Sequence, residues 1–335
     1  MKTVLVTGGA GYVGSLLVPR LLHQGYAVRV IDWYLYGEET LASARGNPGL
    51  VEIKGDIRDT ELLRRSIPGC EAVIHLACIS NDPSVDLDPE LARSVNVDSF
   101  RPLLKICKTS GVRRFIFASS AAIYGPSDAA EVTESHPLRP ITHYNAFKRL
   151  CESVLWEETA SDFATVSIRP ATICGYSPRM RLDLVVNILT NHAMNRDRIT
   201  VLGGRQKRPN IYIGDIVDLY SFLLECPSEK IAGKVFNAGA ANYGVLEIAH
   251  KVRETVTRHL PYKRELPIEV IPNDDKRSYH ICSEKLRREL GFFPVRTIEE
   301  AMNEMVDAFQ TGKIPNPLED DRYYNDRMMK VTALR

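Results

Sequence analysis

Thr3-Val4-Leu5-Val6-Thr7-Gly8-Gly9-Ala10-Gly11-Tyr12-Val13-Gly14 stands almost at the start of the chain, and its reading decides the fold. Thr3 to Thr7 is a short, β-branched, apolar run of the kind that forms a buried strand. Gly8, Gly11 and Gly14 then make a GxxGxxG turn, and a helix-period stretch follows from Gly14 to His23. The glycines allow a tight turn, close approach of a diphosphate and close packing of helix on strand. Free N–H groups and the positive end of the helix dipole favour an anion at this turn. Tyr12 and Val13 lie inside the same loop. A glycine-rich turn without a ligand has the same composition, so the next acid matters.

That acid is Asp32, at the end of the second apolar run (VRVID), eighteen residues beyond Gly14. A carboxylate there accepts hydrogen bonds from adenosine ribose hydroxyls and repels a 2′-phosphate, which favours NAD over NADP. A helix cap or loop aspartate is the competing reading. Further apolar runs fall at Leu50 to Lys54, Ala72 to Leu76, Phe115 to Ala118 and Ala164 to Ile168, with helix-period segments between them. Strands alternating with helices predict an α/β fold, a doubly wound parallel (Rossmann) sheet over residues 1–170. After Arg169-Pro170 the pattern loosens into a smaller mixed α/β substrate domain, 171–315, with room for strands that return to the first sheet. Residues 316–335 read as a polar surface tail.

The chain has 335 residues, is 44% hydrophobic and 25% charged, and carries 43 Lys+Arg against 42 Asp+Glu. This composition excludes disordered and fibrous classes, and a formal charge of +1 leaves no global field for nucleic acid or an anionic membrane. No CxxC pair or histidine cluster points to a metal, and seven scattered cysteines suit free thiols in a reducing compartment. The glycines interrupt the apolar N-terminus, and no run reaches the roughly 18 residues of a membrane span. A cytoplasmic location is expected.

In Gly55-Asp56-Ile57-Arg58-Asp59, Asp56 reads either as a contact to the adenine amine or as a helix cap, and Asp59 is the better cap candidate. Ile57, Leu76, Ala77 and Pro170, at or beyond the ends of their strands, are expected along the dinucleotide. The chemistry points to the serine pair Ser119-Ser120 and to Tyr144 and Lys148 in YNAFK. YxxxK on a helix sets both side chains on one face. A nearby ammonium favours the phenolate and is expected to lower the tyrosine pKa. Such a tyrosine exchanges a proton with a sugar hydroxyl while hydride moves to or from a nicotinamide. The serine hydrogen-bonds the same oxygen.

The motifs VTGGAGYVG, GDIRD, HLA, SSAAIYG, YNAFK, RPAT and the late KRSYH…SEKLRRELGFFP resemble extended short-chain dehydrogenases/reductases of the nucleotide-sugar epimerase/dehydratase family. The resemblance implies that Ser120 is the catalytic serine and that Asn96, in SVNVD, supports the nicotinamide end. It also exposes departures. Family 4,6-dehydratases carry Asp-Glu where this chain has Ala121-Ala122, and the family asparagine that often holds the substrate diphosphate is Thr172. Ser177 to Asn187, with Asp275 to Tyr279, resembles a GDP-heptose 4-dehydrogenase subgroup. Arg179 and Arg181 there suit a diphosphate, or form ordinary surface ion pairs. Arg208 and Arg277 match positions where family members clamp the sugar-nucleotide pyrophosphate. Ser80 and Asn81, in the loop after the fourth strand, suit sugar hydroxyls.

The expectation is an NAD-dependent enzyme that oxidises a sugar-nucleotide ring hydroxyl, at C4. It either returns the hydride to the opposite face or releases ketone and NADH. A 4-ketoreductase and a non-catalytic dinucleotide sensor on the same fold are the alternatives. A homodimer through helices near 91–109 and 146–159 is expected.

Overall fold

The computed structural model describes residues 1–273 and 278–333. Its central sheet holds seven parallel strands: β1 (Thr3–Thr7), β2 (Ala27–Asp32), β3 (Leu50–Lys54), β4 (Ala72–His75), β5 (Arg114–Ala118), β6 (Ala164–Pro170) and β10 (Lys234–Ala238). Their spatial order is β10-β6-β5-β4-β1-β2-β3. β1 lies between β2 and β4, with Val6 opposite Val30 on one side and Ile74 on the other. Near-continuous apolar runs such as TVLVT and AVIH suit strands covered on both faces, where alternation would put polar side chains in the core. The chain proceeds outward from β1 through β2 and β3, then restarts at β4 and proceeds the other way. The carboxyl ends of β1 and β4 therefore flank a crevice, the place where such sheets receive ligands.

The second half supplies more than a separate substrate module. β10 returns to the first sheet beside β6, with Phe236 opposite Ile168. The helix Ile213–Glu225 buries Leu219 and Leu223 in the same apolar cluster as Leu17 and Leu21 of the helix Gly14–His23. The remaining strands are β7 (Thr172–Cys174), β8 (Ile199–Leu202), β9 (Lys207–Tyr212), β11 (Ala241–Gly244) and β12 (Ile268–Ile271). They form two small sheets, β11-β9-β7 and β12-β8. Helices Val185–Asn195, Val245–His259 and Ile298–Gln310 bury Val186, Val252 and Met302 in a second core.

The expected surface tail is instead part of the structure. Tyr323, Tyr324, Asn325 and Met329 are buried, and Met329 joins the apolar cluster of β4 and β5. Charged letters such as Asp320-Asp321-Arg322 hid this: Arg322 pairs with Asp320 and Glu39 at the surface while the tyrosines turn inward. All seven cysteines are free thiols, and only Cys78 and Cys282 are partly exposed. Among the described residues no helix is long and apolar enough to cross a membrane, and no group of metal-ligating side chains gathers.

Candidate active site

A cavity of about 970 Å³ opens where β1 and β4 end. Its floor is the glycine turn. Gly8 has φ +73°, and a Cβ there would come within 2.6 Å of Ala77 N. A Cβ on Gly14 would meet the carbonyl oxygens of Gly8 and Gly9 at 2.5 Å. Only hydrogen fits at these two positions, so the turn lies flat against the end of β4 and under the helix. Gly8, Gly11, Tyr12, Val13 and Gly14 all line the cavity, as do Ile57, Leu76, Ala77 and Pro170. Asp32 stands at one end, where its carboxylate accepts from the backbone N–H of Tyr34 (2.8 Å) and Ala10 (3.0 Å). Burial pushes its pKa up, and these two N–H groups oppose the rise.

Ser120, Tyr144 and Lys148 line the same cavity. Ser120 follows β5 and caps a short turn, its Oγ accepting from Ala122 N at 3.2 Å. Tyr144 and Lys148 lie in the helix His143–Glu158, which starts at a Thr142 cap. Their relation differs from the expectation. Lys148 Nζ donates to Ala118 O at 2.7 Å and sits 5.8 Å from the centre of the Tyr144 ring. Enclosure in the cavity holds the Tyr144 phenol well above its ordinary pKa, with Cys78 and Asp82 adding to the rise and Arg181 opposing it. Burial outweighs Arg181 here, so the phenol holds its proton.

The residues assigned to substrate form a bonded network. Arg181 makes a two-pronged ion pair with Asp183, with Nε to Oδ1 and Nη2 to Oδ2 both at 2.9 Å. Asn81 caps the helix Asp82–Leu87 and donates to Asp183 Oδ2 at 2.8 Å. Ser80 Oγ accepts from Asn325 Nδ2 at 2.7 Å. Arg179 lies near Asp32, with its guanidinium over the Tyr36 ring. Arg208 and Thr172 also line the cavity, and Arg208 donates to Lys207 O at 3.0 Å. Arg277 lies outside the described residues.

Two assigned side chains do not face the cavity. Asp56 engages Arg58, accepting from its Nη2 at 2.7 Å, and leaves Gly55 and Ile57 as the lining. Asp59 caps the helix Thr60–Ser66, accepting from Glu61 N and Leu62 N. Asn96 is buried and pairs both sides of its amide with the backbone of Ile79, at 2.9 Å each. It braces the loop that carries Ser80. Tyr36, Asp183, Asn325 and Met329 line the cavity without having been assigned: Tyr36 and Asp183 stand beside assigned residues, whereas Asn325 and Met329 arrive from a C-terminal stretch with no motif around it. Buried Ser119 Oγ, Asn145 Oδ1 and Arg179 Nε have no protein partner, and all three residues line the cavity. A polar ligand satisfies such groups, and the glycine floor with a carboxylate at its end fits a dinucleotide.

Residues 4–239 match the sequence model of the NAD dependent epimerase/dehydratase family. The chain is 30% identical over 329 residues to a UDP-glucose 4-epimerase of Corynebacterium glutamicum, covering 92% of this chain and 96% of that one. A Thermotoga maritima UDP-glucose 4-epimerase solved with UDP-glucose superposes with a TM-score of 0.81 at 26% identity, over 92% of this chain and 99% of that one. A Streptomyces venezuelae dTDP-glucose 4,6-dehydratase solved with NAD gives a TM-score of 0.83 at 23% identity, over 95% and 100% of the two chains. At that identity the likeness shows the fold alone.

Proposed function

Since this chain belongs to the NAD dependent epimerase/dehydratase family, we propose that it oxidises a ring hydroxyl of a sugar nucleotide, at C4, through Ser120, Tyr144 and Lys148. The observation that supports this reading is a single cavity lined at once by Gly8, Gly11 and Asp32 and by these three side chains. NAD supplies the hydride acceptor, and its diphosphate and adenosine ribose suit the glycine turn and Asp32. The protein's part is to hold the sugar oxygen and move its proton. Ser120 Oγ offers a hydrogen bond to that oxygen. Tyr144 takes the proton as phenolate and returns it as phenol. The neutral phenol is ready to protonate the oxygen when hydride comes back, whereas oxidation first needs its proton removed. Arg181 favours that removal and Cys78 and Asp82 oppose it. Lys148, anchored on Ala118 O, suits a role in orienting the cofactor ribose beside the phenol.

Ala121 is fully buried and Ala122 faces the cavity. Neither methyl transfers a proton, so elimination of water lacks an acid–base pair at these positions. Incubation with a panel of sugar nucleotides, with products read by mass spectrometry and NMR, is expected to give a 4-epimer or a 4-ketosugar. A 4-keto-6-deoxysugar would overturn the reaction class. Arg208, which also lines the cavity, is the described candidate for the sugar-nucleotide diphosphate. The homodimer belongs to the same reading: Leu150 and Trp156, on the helix His143–Glu158, are 45% and 40% exposed.

Cofactor choice gives a second test. Replacing Asp32 by Ala removes the carboxylate that repels a 2′-phosphate, and NADP affinity is expected to rise towards that of NAD. Fluorescence titration with both dinucleotides measures this, and equal affinities in the parent would defeat the assignment of Asp32.

A further inference from the structure

Arg179 is 3% exposed yet has no carboxylate at ion-pair distance among the described residues. Its neighbour Arg181 shows the ordinary solution, a two-pronged pair with Asp183. Burial pushes both guanidinium pKa values down; it prevails at Arg179, whereas the paired Asp183 carries that of Arg181 up. Arg179 Nη2 donates to Asn325 Oδ1, its Cζ lies 3.5 Å from the centre of the Tyr36 ring, and its Nε has no partner. A buried guanidinium compensated only by an amide and a ring is strongly unfavourable by itself. An anion in the cavity relieves it.

The position selects the anion. Ser177 Oγ donates to Tyr12 O at 2.6 Å and shares a 2.7 Å hydrogen bond with Ser15 Oγ. Arg179 N donates to the same Ser15 Oγ at 3.3 Å. These bonds fasten residues 177–179 onto the first turn of the helix that the glycine turn opens, and Arg179 lines the same cavity as that turn with Asp32 nearby. We infer that Arg179 grips the diphosphate of the bound dinucleotide from above the glycine turn, held in place by Asn325 of the C-terminal segment. The inference rests on the NAD-binding reading and reassigns Arg179 from the sugar nucleotide to the cofactor. Asn325 is the positioning residue. It is 2% exposed, donates through Nδ2 to Ser80 Oγ (2.7 Å) and Ser80 O (3.3 Å), and donates through N to Asp183 Oδ2 (3.4 Å). Asp326 and Met329 continue the same wall. The C-terminal segment thus closes the cavity over the diphosphate, and a dinucleotide leaves only when the Asn325 contacts break.

Calorimetric titration of the full chain with NAD, ADP, UDP and adenosine tests the inference. Arg179→Gln is expected to weaken NAD and ADP by about 10–150-fold, the worth of a charge-assisted contact to phosphate. Adenosine, which has no phosphate, is expected to bind as to the parent. Asn325→Asp places a carboxylate on the guanidinium and is expected to weaken ADP relative to adenosine in the same sense. A merely structural role for Asn325 would weaken both equally. If Arg179→Gln fails to fold, the ADP-to-adenosine ratio in Asn325→Asp decides. Unchanged ADP affinity in a folded Arg179→Gln, equal losses for ADP and adenosine, or a loss confined to UDP would each overturn the grip. A parent that binds neither NAD nor ADP would instead remove the cofactor reading beneath it.

Discussion

Tyr144→Phe is expected to slow turnover by about 10²–10⁴-fold, the usual worth of a positioned acid–base group, while NAD affinity stays near that of the parent. The substitution removes one oxygen and keeps the ring, so the packing of the helix His143–Glu158 is undisturbed. The size of the loss follows from the enclosure. Tyr144 lies in a cavity where burial holds the phenol well above its ordinary pKa, and Lys148 is engaged with Ala118 O. Ser120 keeps a hydrogen bond to offer but is far too weak an acid to replace the phenol. Turnover on the best sugar nucleotide from the panel, set beside a dinucleotide titration, measures the two effects separately. A rate within about threefold of the parent would mean that another group moves the proton.

Glu152→Ala is expected to cost about 3–5 kcal/mol of stability, because it strands a buried cation. Glu152 is fully buried. Its Oε1 accepts from Ser167 Oγ (2.9 Å) and Arg169 Nε (3.0 Å), and its Oε2 accepts from Arg169 Nη2 (2.7 Å). Arg169 Nη1 donates to Tyr124 Oη at 2.7 Å, and that hydroxyl donates to Asn237 Oδ1 at 2.7 Å. The network ties β6, β10 and the short turn that follows β5 to the helix His143–Glu158, immediately beneath Pro170, which lines the cavity. Denaturant titration followed by circular dichroism measures the loss. Replacing both partners by apolar residues, Glu152→Leu with Arg169→Met, is expected to recover much of it, since no charge is then left unpaired. A single variant as stable as the parent would show that water reaches Arg169.

The residues that the structure brings together around one cavity were largely legible because their geometry is local. The glycine turn is one contiguous stretch, Asp32 ends the next strand, and Tyr144 and Lys148 are one helical turn apart. The Asp59 cap is equally local, since its partners are Glu61 N and Leu62 N. The reading faltered where a side chain had a choice of partners. Asp56 had both Arg58 and the cavity within reach and took the guanidinium. Lys148 was expected to act on the phenol, but a carbonyl at the end of β5 offered a direct hydrogen bond.

Local order alone therefore determined the α/β class, the crevice between β1 and β4 and the side chains suited to proton transfer, because strand, turn and helix are set by neighbours a few residues apart. Only the tertiary structure decided what closes that crevice. Asn325 meets Arg179 across 146 positions and Ser80 across 245, and no periodicity spans such distances. The polar letters of the last twenty residues read as a solvated tail, yet burial is a property of where a segment is packed. Two tyrosines, an asparagine and a methionine were enough to seat it against the cavity. The same packing separated two arginines that look alike in Arg179-Met180-Arg181: one found Asp183, and the other was left buried without a carboxylate at ion-pair distance.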